Sequence, residues 1–249
     1  MQLQLIRHAT LLLEYAGMRL LVDPMLSDPG AMPPIENSPQ PRTNPLVPLP
    51  CPATDVVSGV QAVLVTHTHR DHWDDAAIQL VPKDLTLFCQ PEDLAKMEGV
   101  HFVNPAPVHH ARNWSSICVT RTGGQHGTGE IGRKMAPVSG YVLQSSGEPT
   151  LYIAGDTIWC HEVAEAIKEF KPDVIVVNAG GARFLQGDPI TMTAEDVIQV
   201  CRPAPPAKVV AVHMEAINHC LLTRKDLSHA AHKAHVKVMI PDNGEIISF

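Results

Sequence analysis

At 249 residues, with 45% hydrophobic and 18% charged side chains, the chain has enough apolar material for one large layered α/β core. A net charge of −7, with no cluster of Lys and Arg, weighs against nucleic acid as a partner, and no apolar run nears the roughly 20 residues of a membrane helix. The first residues show no basic segment followed by an apolar one, so no secretory leader is expected. Six cysteines without a C-x-x-C pair read as reduced thiols of a cytoplasmic protein.

In chain order, Leu3–Ile6, Leu11–Tyr15 and Met18–Val22 are short apolar stretches, with Gly17 placed for a hairpin turn between the last two. Residues 24–54 then lose periodicity and fill with proline, from Pro24 to Pro52. Proline fixes φ and lacks a donor, so a long loop insertion is predicted, either a cover over a site or a surface excursion. Beyond it, strands are predicted over Ala62–Val65, Leu85–Cys89, Ile117–Thr120, Gly140–Gln144, Thr150–Ala154, Val174–Val177, Val209–Val212, Val236–Ile240 and Glu245–Ser248. Helices are predicted over Asp74–Leu80, Pro91–Lys96, His161–Phe170, Thr193–Val200 and Lys225–His235. Strand hairpins followed by strand–helix alternation fit sheets sandwiched between helices, in one domain spanning 1–249.

The chemistry concentrates after Ala62–Val65, where the chain reads His67-Thr-His69-Arg-Asp71-His72. Imidazole and carboxylate suit zinc, manganese or iron. Two residues apart in extended chain, His67 and His69 face the same side, and a turn after His69 would aim Asp71 and His72 at a second ion. Three further residues stand in matching places, each beyond an apolar strand: His126 among the glycines of 123–129, Asp156 in Gly155-Asp-Thr157, and His213 after Val209–Val212. An isolated histidine is ordinarily a satisfied polar residue, as are His229, His232 and His235 along a predicted helix. His101, His109 and His110 stay ambiguous.

The order H-x-H-x-D-H, a lone His, G-D-T and a late His resembles the metallo-β-lactamase superfamily. The opening His8-Ala-Thr-Leu-Leu-Leu-Glu14, with Leu20-Leu-Val-Asp23-Pro24 and His213-Met-Glu-Ala-Ile-Asn-His219, is similar to the lactonase-like branch that contains ascorbate-6-phosphate lactonase. The resemblance implies a four-layer αββα sandwich, an α/β metallo-β-lactamase fold, with the site at one sheet edge. It implies two divalent ions, zinc first with manganese or iron as alternatives. His67, His69 and His126 would hold the first ion, Asp71, His72 and His213 the second, and Asp156 would bridge them. Asp71 and His213 are the catalytic candidates, with Asp71 orienting the nucleophile. Around them, Asp23 is expected behind a ligand imidazole, His8 and Asn178 beside the pocket, and Glu215 and His219 against substrate.

The implied activity is hydrolysis of a small ester or lactone, phosphorylated or not, by a metal-activated water. A phosphate would call for a basic residue such as Arg112, Arg183 or Lys134. The alternatives are a phosphodiesterase or nuclease of the same fold, a di-iron flavoprotein and a non-catalytic metal-binding protein. The flavoprotein motif has a carboxylate where this chain has His69 and needs a second domain. The full ligand order argues against the non-catalytic reading. Self-association is left open.

Overall fold

The computed structural model describes residues 1–203 and 207–249. Two sheets carry it. The first has seven strands in the order β13-β1-β2-β3-β4-β5-β6: β1 Gln2–Arg7, β2 Thr10–Tyr15, β3 Met18–Val22, β4 Ala62–Leu64, β5 Thr86–Cys89, β6 Asn104–Pro107 and β13 Ile246–Ser248. The second has six in the order β12-β11-β10-β9-β8-β7: β7 Ala111–Trp114, β8 Ile117–Thr122, β9 Gly140–Gln144, β10 Leu151–Ile153, β11 Val174–Asn178 and β12 Lys208–Val212. Helices α1 Ala53–Val57, α2 Asp75–Leu80 and α3 Leu94–Gly99 belong to the first half. Helices α4 Gly129–Met135, α5 His161–Phe170, α6 Ala194–Cys201 and α7 Arg224–Lys233 follow.

Side-chain alternation explains the layering. Leu11, Leu13, Leu20, Val22, Ala62 and Leu64 face the other sheet, where they meet Leu143, Leu151, Ile153, Val174, Val176, Val210 and Val212. Their neighbours point the opposite way. Leu12, Leu21, Val63 and Val65 pack with Val56 of α1 and Ala77 of α2, while Ile175, Val177, Val209 and Ala211 pack with Val163 of α5, Val197 of α6 and Leu227 of α7. Strands buried on both faces must be apolar at every position, which is why they read as continuous runs. The result is the expected αββα sandwich.

Several elements differ from expectation. β6, Asn-Pro-Ala-Pro, carries two prolines and no pattern; it survives because it is an edge strand, where a missing donor costs no ladder bond. β7 is the exposed edge of the other sheet. α4 opens on a glycine-rich segment that masks it, and α1 begins inside the proline-rich stretch, at Ala53. Val236–Ile240 is not a strand: it contributes a single parallel bridge, Met239 to Val210. The helix expected from Pro91 starts as a 3-10 turn, Pro91–Asp93. All six cysteines are free, and among the described residues no helix is long and apolar enough to cross a membrane.

Candidate metal centre

Parallel strands end together, so residues just past them meet. Asp23 follows β3, His67 follows β4, Asp156 follows β10, Asn178 ends β11 and His213 follows β12, with β3–β4 and β10–β11–β12 paired in parallel. The chain turns sharply to bring these side chains inward. His8 (φ 61°), Asp23 (φ 42°) and His213 (φ 71°) all adopt left-handed backbone, at roughly 1–2 kcal/mol each for a non-glycine residue. Such strain concentrates where surrounding structure imposes it. Close approach demands glycine at two points. A Cβ on Gly155 would meet the Ser139 carbonyl at 2.6 Å, and one on Gly180 would meet His213 Nδ1 at 2.8 Å and Cys220 Sγ at 2.9 Å.

The geometry brings all seven expected ligands together. Donor atoms of His67, His69 and His126 lie within 4.8 Å of one another, as do those of His67, His72 and Asp156, and those of His8, Asp71, His72 and His213. Asp156 stands in the middle: its Oδ2 is 3.2 Å from His72 Nε2, 3.5 Å from His126 Nε2 and 3.9 Å from His67 Nε2, and its Oδ1 is 3.2 Å from His213 Nε2. Asp71 Oδ2 lies 3.7 Å from His213 Nε2 and 3.9 Å from His72 Nε2. The expected turn after His69 is present, with its carbonyl accepting from the amides of His72 and Trp73.

Partners behind the imidazoles fix their tautomers. His126 Nδ1 donates to the Ile190 carbonyl at 2.7 Å. His72 Nδ1 donates to Asp23 Oδ2 at 2.9 Å. The same carboxylate accepts the Thr66 amide at 2.7 Å and the Thr66 hydroxyl at 2.8 Å, and Thr66 Oγ1 in turn faces His67 Nδ1 at 3.1 Å. Asp23 therefore holds one ring from each half of the cluster. Asn178 donates to Asp156 Oδ1 at 2.7 Å.

Electrostatics point the same way. Burial pushes His67 and His126 below the ordinary imidazole range. Burial and then His213 push His8 down to about 3. Burial alone would lift the Asp156 carboxyl, but His213 and His72 outweigh it and hold it well below the usual range. Burial disfavours a charged His72, yet Asp156, Asp23 and Asp71 together raise it far above its ordinary value. A carboxylate cage that favours an imidazolium favours a cation. With inward nitrogens freed by outward hydrogen bonds, the donor set fits borderline divalent metals.

Other candidates separate. Glu215 lies apart, its carboxylate taken by the Arg224 amide at 3.0 Å and guanidinium at 2.5 Å, so it anchors α7. His219 is buried, its ring centroid 6.3 Å from that of Phe184 and its Nδ1 4.0 Å from Cys220 Sγ. His101, His109 and His110 are exposed. Sequence reasoning missed Thr66 and Asn218. Thr66 precedes the His-rich loop and Asn218 sits inside the stretch 213–219, but each acts through contacts with distant segments that the sequence does not show.

We expect Asp23→Ala to weaken metal binding by roughly 10–100-fold, the usual effect of removing a ligand's outer partner, since it strands His72 Nδ1 and both Thr66 donors. Chelator competition on the purified variant measures this, and unchanged affinity would dismiss the hub role.

Comparison with known proteins places the chain in a family. The family model described as a beta-lactamase superfamily domain matches residues 18–214. The chain belongs to that superfamily. Over its whole length the protein is 36% identical to the UPF0173 protein YddR of Bacillus subtilis, over 254 residues and 100% of both chains. The isothiocyanate hydrolase from Delia radicum gut bacteria superposes with a TM-score of 0.95 at 39% identity, covering 100% of this chain and 99% of that one. A possible metal-dependent hydrolase from Veillonella parvula gives 0.96 at 34%, with the same coverage. This superfamily member is a metal-dependent hydrolase of the metallo-β-lactamase fold.

Proposed function

We propose that this hydrolase acts on a small electrophile bearing an apolar substituent, an isothiocyanate being the first candidate. The observation that carries the reading is a cavity of about 240 Å³ at Asp71, walled by Met32, Pro33, Pro34, Ile35 and Ile217. Four of these belong to the proline-rich stretch 24–54, which makes that stretch a pocket wall. Likeness to the isothiocyanate hydrolase supports the choice of substrate.

His67, His69 and His126 are assigned to one divalent ion, Asp71, His72 and His213 to a second, and Asp156 to both, with zinc expected first and manganese or iron as alternatives. When bound, such a pair supplies a water acidified to near-neutral pKa and a Lewis acid for the electrophile. The chain's own part is positional. The apolar wall seats the substituent and excludes bulk water, while Asp71, shared by cavity and cluster, accepts a hydrogen bond from the attacking water and aims it. Asn178 and Asp23 keep Asp156 and His72 from turning. With an isothiocyanate, a C–O bond forms at the central carbon as a proton passes to nitrogen. The resulting thiocarbamic acid passes its remaining proton to nitrogen as the C–N bond breaks, releasing an amine and carbonyl sulfide.

A lactone or ester presents a similar electrophilic carbon and is the second reading, sustained by the lactonase-like motifs. A phosphorylated substrate fits less well: Arg112, Arg183 and Lys134 do not line the cavity, and Arg70, which does, lies 3.3 Å from Asp75. The net charge of −7 disfavours nucleic acid. The test pairs elemental analysis with a panel of alkyl isothiocyanates, γ-lactones, aryl esters and a phosphodiester. We expect more than one equivalent of metal and amine release from isothiocyanates that a chelator abolishes. Preferential lactone turnover would replace the substrate; full activity in metal-free protein would sink the mechanism.

A further inference from the structure

His8 stands inside the cluster without an assigned role. It is fully buried, and its Nε2 lies 3.1 Å from Asp71 Oδ2. Its ring stacks on that of His213, centroids 3.5 Å apart and tilted 37°, and its carbonyl accepts the His213 amide at 2.9 Å. It thus touches two residues assigned to the second ion, and its own donor atom falls in the same group as theirs. On distance alone it is either an extra ligand or a hydrogen-bond donor.

The outer nitrogen decides between them. A ligand imidazole gives its metal-facing nitrogen's lone pair to the ion and therefore carries its proton on the other nitrogen, which needs an acceptor. His72 and His126 have one in Asp23 and the Ile190 carbonyl. His67 faces Thr66 Oγ1, and His213 Nδ1 faces Cys220 Sγ at 3.6 Å. Among the described residues His8 Nδ1 is buried with no partner. A proton there would be an orphaned donor, which buried structure tolerates less well than an unpaired acceptor. The proton therefore sits on Nε2, where Asp71 Oδ2 accepts it.

We infer that His8 is a positioning residue: a neutral imidazole that donates to Asp71 and stacks on His213, holding both for the second ion without binding it. This rests on the two-ion assignment above. It predicts that a donor of similar reach can replace the imidazole, because what Asp71 needs is a proton at that point.

The test uses the full chain loaded with zinc or cadmium. In the unmutated, isotope-labelled protein, NMR should find the His8 proton on Nε2 and no coupling of either ring nitrogen to cadmium. Chelator competition should show His8→Leu binding the first equivalent as the parent does and the second roughly 10–100-fold more weakly, with His8→Gln recovering most of the loss through its amide. Coupling of His8 to cadmium would overturn the inference and make it a ligand. So would two equivalents bound at parental affinity by His8→Leu, or a Gln variant as weak as the Leu variant. Uptake of a single ion by the unmutated protein would instead bring down the two-ion assignment, and this role with it.

Discussion

Asp156→Ala is expected to lose metal from both halves of the cluster and to lose activity with it, while the fold persists. Among the described residues its carboxylate is the one within 4 Å of donor nitrogens on both sides: His67 and His126 on one, His72 and His213 on the other. The side chain is buried, so no solvent dipole takes over when it is removed. The five expected ligand imidazoles and His8 then keep Asp71 as the carboxylate among them, and Asn178 Nδ2 loses its acceptor. The effect on affinity and on kcat/KM should exceed the roughly 10–100-fold expected when an outer partner such as Asp23 is removed. Asp156→Asn should restore the shape but not the charge, and so bind metal little better than the alanine variant. Elemental analysis after gentle purification, alongside kcat/KM and a thermal melt, measures this. A folded Asp156→Ala protein with its full metal complement and full activity would refute the bridging role.

The second large effect is expected at Asn218, five residues beyond His213. Its buried amide is the clasp of the pocket wall. Oδ1 accepts from the Ile35 amide at 2.9 Å and from Asn44 Nδ2 at 2.8 Å. Nδ2 donates to Ser38 Oγ at 2.6 Å and to the Gln40 carbonyl at 2.5 Å, and the Asn218 backbone N–H donates to Asn44 Oδ1 at 2.9 Å. Asn218→Ala leaves buried donors without acceptors, at about 2–3 kcal/mol in total. For a chain of this size that corresponds to a fall in Tm of about 4–12 °C. Because Pro33, Pro34 and Ile35 line the cavity at Asp71 while the amide touches none of the metal-centre residues, KM should rise with metal content held and kcat little changed. Asn218→Asp keeps the acceptor and loses the donors, so it should fall between. Unchanged Tm and KM would show that the wall holds without its clasp. A loss of metal would show that the clasp acts on His213 rather than on the cavity.

How much of this was legible beforehand follows from which forces act locally. That the seven residues expected as ligands meet could be read because a metal centre needs particular donor types, and because parallel strands deliver the residues beyond their ends to one edge. An apolar run followed by His67, Asp156 or His213 is a local signal of that arrangement. The buried strands could be read for a similar reason, since β4 and β10 are apolar throughout, as are β11 up to Asn178 and β12 beyond Lys208. Asp23 was legible as a carboxylate closing a strand. That it serves His72, and reaches toward His67 through Thr66, depends on how β3 and β4 pair. Glu215, expected against substrate, stands on a left-handed turn at φ 63° and pairs with Arg224, a contact the sequence does not show. The edge strands β6 and β7 had no pattern to read, because an edge is defined by what lies beside it. The sequence alone determined which residues could bind metal and which stretches form the core. Only the tertiary structure decided the cavity wall, the Asn218 clasp and the proton on His8, because each depends on a contact between segments far apart in the chain.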